Sequence, residues 1–328
     1  MMIGSEKLLP VLAVPAEHHG HPLQLSDVKV VKFLVKSGWT AQTVSEALEE
    51  SVDTMEKAPS YVITDNDSKM RKAVSLSSYT WHRDVSHTLA MFMERTYKDD
   101  PDFLDFNKSI ATCKRQNCMK EIAYLQSPSQ RTKARFMNLS ESVEWADRML
   151  MSYHRLTLQE REVFSFLPRH ASFIEEMKNM ISCIHYIESQ MKHQGLSRDT
   201  ITVCKRHVCI SIMRGNDRMR RVGQQIMDYL AEENRLLKDD EVLNNSSDVI
   251  ESMFGIYKYI QSQNKMNGVT ALVLHLPVRL AFADASVSWN YNVNGRLCRT
   301  KIRDINLWRD ENLMESQVVR RIRTLKTA

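Results

Sequence analysis

Residues 61–68 read Tyr-Val-Ile-Thr-Asp-Asn-Asp-Ser. Apolar and β-branched residues run straight into short polar ones, the pattern of a buried strand that ends in a polar turn and starts a helix. The helix continues over Lys69–Leu76. Upstream, Leu8–Val14 is a second apolar run and reads as a strand. His18–Pro22 is a turn-like break carrying His18, His19 and His21. Leu23–Val35 mixes β-branched and basic residues and fits strand, helix or both. Thr40–Met55 has helical periodicity, with Thr40 as N-cap and Val44, Ala47 and Leu48 on one face, and Pro59 ends the segment. Downstream, Thr80–Val85 reads as a short strand and Ser86–Tyr97 as a helix. Strands alternating with helices predict an α/β sheet. The strands at Leu8–Val14 and Tyr61–Thr64 are expected to share it.

From Asp99 to Asp240 the strand signals nearly vanish. Amphipathic helical segments follow one another, among them Phe103–Lys120, Ser140–Leu156, Ser172–Lys192 and Met213–Leu237. Asn244–Ser247 is a break, Asp248–Gln263 a strong helix expected to pack on the sheet, and Gly268–Ala283 an apolar segment. The division expected is a first core part at 1–98, a helical insertion at 99–243, a last core part at 244–285 and a basic tail at 286–328.

The 328 residues are 43% hydrophobic and 26% charged, which excludes a disordered chain. Nine glycines and eight prolines favour long helices over tight turns. No apolar run approaches the roughly 20 residues that span a bilayer, and Met1–Pro10 has no secretory apolar region. Six cysteines in this length point to a reduced, cytoplasmic chain. The net charge is +5, and Arg296–Ala328 alone holds nine Lys/Arg against four Asp/Glu. The whole excess lies there, as in segments that contact polyanions.

Two carboxylates fit one chemistry. Asp65 ends an apolar strand, and open α/β sheets place their sites at that edge. Glu251 lies in the first turn of a later helix. Lys258 follows two helical turns on, along a stripe with Ser247, Phe254 and Ser262, beside an apolar face of Ile250, Met253, Tyr257 and Ile260. Carboxylates so placed can grip hard divalent cations such as Mg²⁺ for phosphoryl transfer. Structural roles also fit. Asp65 can cap the next helix or close an Asx-turn, and Asp248 with Glu251 matches a capping box.

The strings Tyr61-Val-Ile-Thr-Asp65, Asp84-Val-Ser-His87 and Ser247-Asp-Val-Ile-Glu251-Ser-Met-Phe-Gly-Ile-Tyr-Lys258 resemble DDE-type cut-and-paste insertion-sequence transposases, over roughly Ile3–Ala283. The resemblance implies an RNase H-like mixed sheet with flanking helices, interrupted by a large all-helical insertion between the second aspartate and the glutamate. It makes Asp65 the second acid and Glu251 the third, jointly with a first aspartate holding two Mg²⁺ ions for DNA strand cleavage and transfer. Lys258 then contacts a DNA phosphate. The implied partners are DNA at element ends and a second copy or a full-length transposase, and the implied place is cytoplasmic, with the nucleoid. The family pattern Tyr-x2-Arg-x3-Glu-x6-Lys is kept at Glu251 and Lys258, while Asn244 and Ser247 stand at the Tyr and Arg positions. In the family the first aspartate lies on the first strand, before a hairpin into the second. Leu8–Val14 matches that second strand and Ile3–Lys7 the turn, so the chain is expected to be an N-terminally truncated fragment without the first acid. Glu6, Glu17 and Asp27, the acids before the first long helix, do not end apolar strands. A non-catalytic DNA-binding or regulatory protein derived from a transposase is the alternative.

Further features carry weaker signals. Asp84 and His87 follow a short strand, where Asp84 can cap a helix. Cys204-x2-His207-x-Cys209 has zinc-ligand types that Cys183 or His185 would have to complete, or else these are buried helix cysteines. His18, His19 and His21 fit a surface turn. Arg131, Lys133 and Arg135, and the cluster Arg214, Arg218, Arg220 and Arg221, can track a DNA backbone or form solvated faces. Trp81 and Trp145 suit the core, whereas Trp289 and Trp308 can stack on bases.

Overall fold

The computed structural model describes residues 2–3, 6–129, 136, 139–261, 268–283 and 299–326. The chain forms two compact units, one made of Met1–Arg83 with Ser246–Ala328, the other of Asp84–Asn245. It is mixed α/β and mostly helical. Arg131, Lys133, Arg135, Ser262 and Trp289 lie outside the described residues.

The first unit begins with an antiparallel sheet in the order β1 (Met2–Ile3), β2 (Glu6–Ala13), β3 (Lys29–Lys36). Leu8 lies opposite Val35 and Leu9 opposite Leu34. The first pair faces a core with Leu12, Val30 and Phe33, the second a core with Trp39, Val44 and Ala73. Both faces are covered, which is why Leu8–Val14 is continuously apolar instead of alternating. A bulge shifts the register at Val11/Leu12. One extra residue on β3 brings Val30 to the same face as Phe33 and Val35 despite the odd spacing. The ambiguous Leu23–Val35 stretch is a 3-10 turn, Leu25–Asp27, followed by β3.

Helix α1 (Ala41–Met55) starts at the expected cap, with the Thr40 hydroxyl accepting from the Thr43 amide. β4 (Val62–Thr64), α2 (Ser68–Leu76) and β5 (Trp81–Arg83) form a strand-helix-strand unit whose strands pair in parallel, Val62 opposite Trp81. Parallel neighbours need such a crossover. The expectation that Leu8–Val14 and Tyr61–Thr64 share one sheet is corrected: among the described residues β4 and β5 form a separate two-stranded sheet. β4 instead takes the parallel partner that the α2 crossover places beside it.

Helix α11 (Asp248–Ile260) packs Val249, Met253 and Tyr257 against Leu8 and Val28, as its apolar stripe predicts. Burying Met253 contributes on the order of 2 kcal/mol. α12 (His275–Ala283) adds Leu276 and Leu280 to the same core. Two more helices follow, α13 (Ile302–Asn312) and α14 (Gln317–Lys326). Trp308 and Leu313 pack on that core as well, so Ile302–Leu313 is a docked helix where a basic tail was expected.

The second unit is helical: α3 (Val85–Tyr97), α4 (Pro101–Asn117), α5 (Ser140–Met151), the short α6 (Leu158–Val163) and α7 (Phe166–Arg169), α8 (Ala171–His193), α9 (Arg198–Ser211) and α10 (Asp217–Leu236). Side-chain caps start several of its helices, with Asp100 at α4, Ser197 at α9 and Asn216 at α10. The boundary falls after Arg83, not after residue 98. α3 belongs with the helices because its buried face, Leu89, Phe92, Met93 and Tyr97, meets α8 and α10. The Phe92 ring packs edge-on against Tyr229 and the Tyr97 ring against Phe173. Among the described residues no helix is long and apolar enough to cross a membrane.

Candidate functional site

Asp65 follows β4 directly, and its side chain is exposed. The backbone there is held by a short relay. The Trp81 indole donates to the Thr64 hydroxyl at 2.8 Å, and that hydroxyl donates to the Asp65 carbonyl at 2.9 Å. The cap of α2 comes from Asp67, whose Oδ1 accepts from the Lys69 amide at 2.8 Å. Capping the next helix is therefore not the work of Asp65.

Glu251 and Lys258 are both exposed on α11, on the side away from the buried Val249, Met253 and Tyr257. Phe254, Ile250 and Ile260 are half-buried at the margin. Ser247, not Asp248, is the N-cap residue, and it makes no side-chain capping hydrogen bond. The capping box that Asp248 and Glu251 match in sequence is not how this helix starts. Asp65, Glu251 and Lys258 lie in the same unit.

Among the described residues, no group of three or more metal-ligand side chains includes Asp65 or Glu251. Glu6 is buried and committed. Its Oε2 accepts from the Val269 amide at 2.8 Å and its Oε1 from the Met314 amide at 2.7 Å. Asp84 is buried as the N-cap of α3, where Oδ1 accepts from the His87 amide at 2.8 Å and meets His87 Nδ1 at 2.9 Å. Asp84 and His87 thus face each other and order a helix start.

Arg218 does not behave as a free phosphate ligand. Its guanidinium hydrogen-bonds Glu176, Asp100 and Asp102 and lies 5.7 Å from the Phe173 ring centroid and 5.9 Å from that of Tyr97. Four of the five N–H donors of its planar fork are committed to carboxylates. Its main partners are thus carboxylates of this chain, where a DNA backbone was expected. Arg220 is exposed and pairs with Asp217 and the Gly215 carbonyl. Arg214 and Arg221 are exposed.

The cysteine-histidine string does not converge either. Cys204 is buried beside Cys183, and burial above all, with that neighbouring thiol, pushes its pKa up to about 12. Cys209 is exposed, His185 is exposed, and His207 stacks on Tyr186 with ring centroids 3.8 Å apart. Trp145 is in the core, where its indole donates to the Leu125 carbonyl at 2.9 Å, and Trp308 packs as well.

One cluster escaped the sequence reading. His18, His21 and Asp27 bring their ligand atoms within 4.8 Å of one another. The signal was present as a histidine-rich turn followed by a short acidic one, but the partner aspartate could not be chosen without the fold.

Comparison with known protein families finds none that matches the chain, and comparison with curated proteins likewise finds no match.

Proposed function

We propose that the chain is the catalytic core of a DDE-type DNA transposase, built on an RNase H-like fold, acting on DNA ends by metal-assisted phosphoryl transfer. The observation that carries the reading is the chain's itinerary. It leaves the first unit just after β5, builds an entire helical unit over Asp84–Asn245, and returns two residues before α11 with Glu251. Asp65 and Glu251 therefore belong to one unit although a helical insertion separates them in sequence, as the family resemblance implies. Asp67, not Asp65, caps α2, and Ser247 is the N-cap residue of α11.

Two exposed carboxylates offer oxygen ligands of the kind hard Mg²⁺ accepts. Asp65 and Glu251 would hold the ion, and the ion would supply nucleophile activation and stabilisation of the leaving oxygen. Lys258, on the same exposed stripe as Glu251, would place a point charge against a DNA phosphate. The family's first acid has no counterpart clustered with Asp65 or Glu251 among the described residues, and two carboxylates alone would hold the ion weakly. That observation favours the second reading, a DNA-binding or regulatory protein of transposase descent without cutting activity of its own.

The test is a Mn²⁺ titration of the full chain followed by electron paramagnetic resonance, beside Asp65→Asn and Glu251→Gln. Each substitution should remove the same bound ion. Mn²⁺ binding that survives both substitutions would show that the two carboxylates do not share a metal. Mn²⁺-dependent nicking of supercoiled DNA, lost in both variants, would then separate the catalytic reading from the regulatory one.

A further inference from the structure

The connection between β2 and β3 carries Ala16-Glu17-His18-His19-Gly20-His21 and, after Pro22, the 3-10 turn Leu25–Asp27. Gly20 has φ +81°, a left-handed conformation that suits glycine and reverses the chain between two histidines. The reversal sets the His18 and His21 rings edge to face, with centroids 5.9 Å apart. His19, between them, packs its ring against Tyr61 instead. The Leu25–Asp27 turn then presents the Asp27 carboxylate to both, 3.9 Å from His18 Nδ1 at its nearer oxygen.

We propose that His18, His21 and Asp27 form a binding site for one late first-row divalent cation of the Zn²⁺ class. Two imidazoles and one carboxylate are a donor set for Zn²⁺, Co²⁺ or Ni²⁺, not for Mg²⁺, which prefers oxygen throughout. Ligand atoms on a tetrahedral Zn²⁺ lie about 3.4 Å apart, given bonds of roughly 2.0–2.2 Å. The three atoms here are already within 4.8 Å of one another, so side-chain rotation alone brings them to bonding distance. Three protein ligands leave a fourth position for water.

Two details prepare these side chains to ligate. His21 Nδ1 lies 3.2 Å from the His19 carbonyl oxygen, which can only accept. Nδ1 is thereby the protonated nitrogen and Nε2 keeps the lone pair, the usual outer-shell arrangement of a metal-binding histidine. Asp27 is held by the Gln24 amide on Oδ2 at 2.8 Å and the Ser26 hydroxyl on Oδ1 at 3.0 Å, leaving lone pairs on both oxygens. Partial burial opposes its charge, but those hydrogen bonds and then the two imidazoles outweigh it and keep the carboxyl below its ordinary value. His21 is exposed, so the cation reaches the site from solvent.

The site shares no residue with Asp65 and Glu251, and the experiment keeps the two apart. An untagged full chain is titrated with Co²⁺ by visible absorption and with Zn²⁺ by calorimetry. One ion per chain is expected, with the intense d–d bands of a low-coordinate site. His21→Ala and His18→Ala should each weaken Zn²⁺ by at least about tenfold, the scale on which even outer-shell changes act. Asp65→Asn with Glu251→Gln should leave Zn²⁺ binding as it was. Far-UV circular dichroism of metal-free His21→Ala, whose side chain is at the surface, should match the parent. A weak six-coordinate Co²⁺ spectrum, or Zn²⁺ binding undiminished in a folded His21→Ala, would overturn the proposal.

Discussion

Arg218 on α10 grips Glu176 on α8 through two hydrogen bonds, Nη2 to Oε2 at 2.6 Å and Nε to Oε1 at 2.9 Å. The Glu176 side chain is 5% exposed and that of Arg218 24%, so the pair is largely withdrawn from water. Most of its remaining valences are filled. Tyr97 donates to Glu176 Oε1 at 2.7 Å, Asn216 to Oε2 at 2.6 Å, and Arg218 Nη1 reaches Asp100 at 2.9 Å and Asp102 at 2.7 Å. Burial first, and then the Glu176 carboxylate, hold the Tyr97 phenol above its ordinary range.

Removing one partner of such a pair leaves a buried charge without compensation, at a cost of about 3–5 kcal/mol. Arg218→Ala is expected to lower stability by that amount in urea denaturation. Replacing both, Arg218→Met with Glu176→Met, should recover part of the loss, since neither charge of the pair is then stranded while Asp100 still loses Arg218. A single-substitution loss under about 1 kcal/mol, the level of an exposed pair, would contradict this role.

This network shows where sequence reasoning stops. Arg214, Arg218, Arg220 and Arg221 look alike in a one-dimensional cluster, and only the partners on α4 and α8 separate Arg218 from the rest. Local signals read well: the cap at Thr40, the strands at 62–64 and 81–83, and the Glu251–Lys258 stripe all depend on neighbours within a turn or two. Long-range choices did not. Nothing near Glu6 reveals that amides at Val269 and Met314 take both its oxygens. The turn at Gly20 that aims two histidines at Asp27 is likewise tertiary.

Glu6 yields the second prediction. Its carboxylate joins β2 to the segments at Val269 and Met314. Hydrogen bonds to charged acceptors contribute roughly 1.5–3 kcal/mol each, and an orphaned buried amide costs about 1–3 kcal/mol. Glu6→Ala should therefore destabilise the chain by about 3 kcal/mol or more. Glu6→Gln should do so by less, because its one carbonyl oxygen still serves one amide. Thermal melts that rank the two variants the other way would show that the carboxylate acts through something other than these bonds.

The thiols give the third. Cys113, Cys183 and Cys204 are buried, and burial foremost raises the pKa of each, that of Cys204 to about 12. The thiolate is the nucleophile, so raised pKa and burial both slow alkylation. Cys118 and Cys209 are exposed. Brief iodoacetamide treatment of the native chain, followed by peptide mass spectrometry, should label Cys118 and Cys209 and spare Cys113, Cys183 and Cys204 until denaturant is added. Early labelling of Cys204 would contradict its place between α8 and α9.

The last prediction concerns the C-terminal helix. The net charge of the whole chain equals that of Arg296–Ala328, yet α13 holds Arg303 and Arg309 against Asp304, Asp310 and Glu311, so it adds no positive excess. The excess is concentrated on α14, where Arg320, Arg321, Arg323 and Lys326 occur without an acid. All four are exposed, and Glu315, outside the helix, pairs with Arg323 at 2.9 Å. Phosphate contacts release condensed counterions, and each contributes about 0.9 to the slope of log affinity against log salt. If Arg320 and Arg321 each meet a phosphate, the double substitution to Ala should lower that slope by about 1.8 on any duplex sequence. The stability of the chain should not change, because neither side chain is buried. The exposed row Val319, Ile322 and Leu325 on the same helix supplies the contrast. Replacing those three with Ser should leave the salt slope intact, since apolar groups release no counterions. A slope that ignores the arginines but shifts with the apolar row would mean that α14 serves protein association, with any effect on DNA arising through oligomerisation.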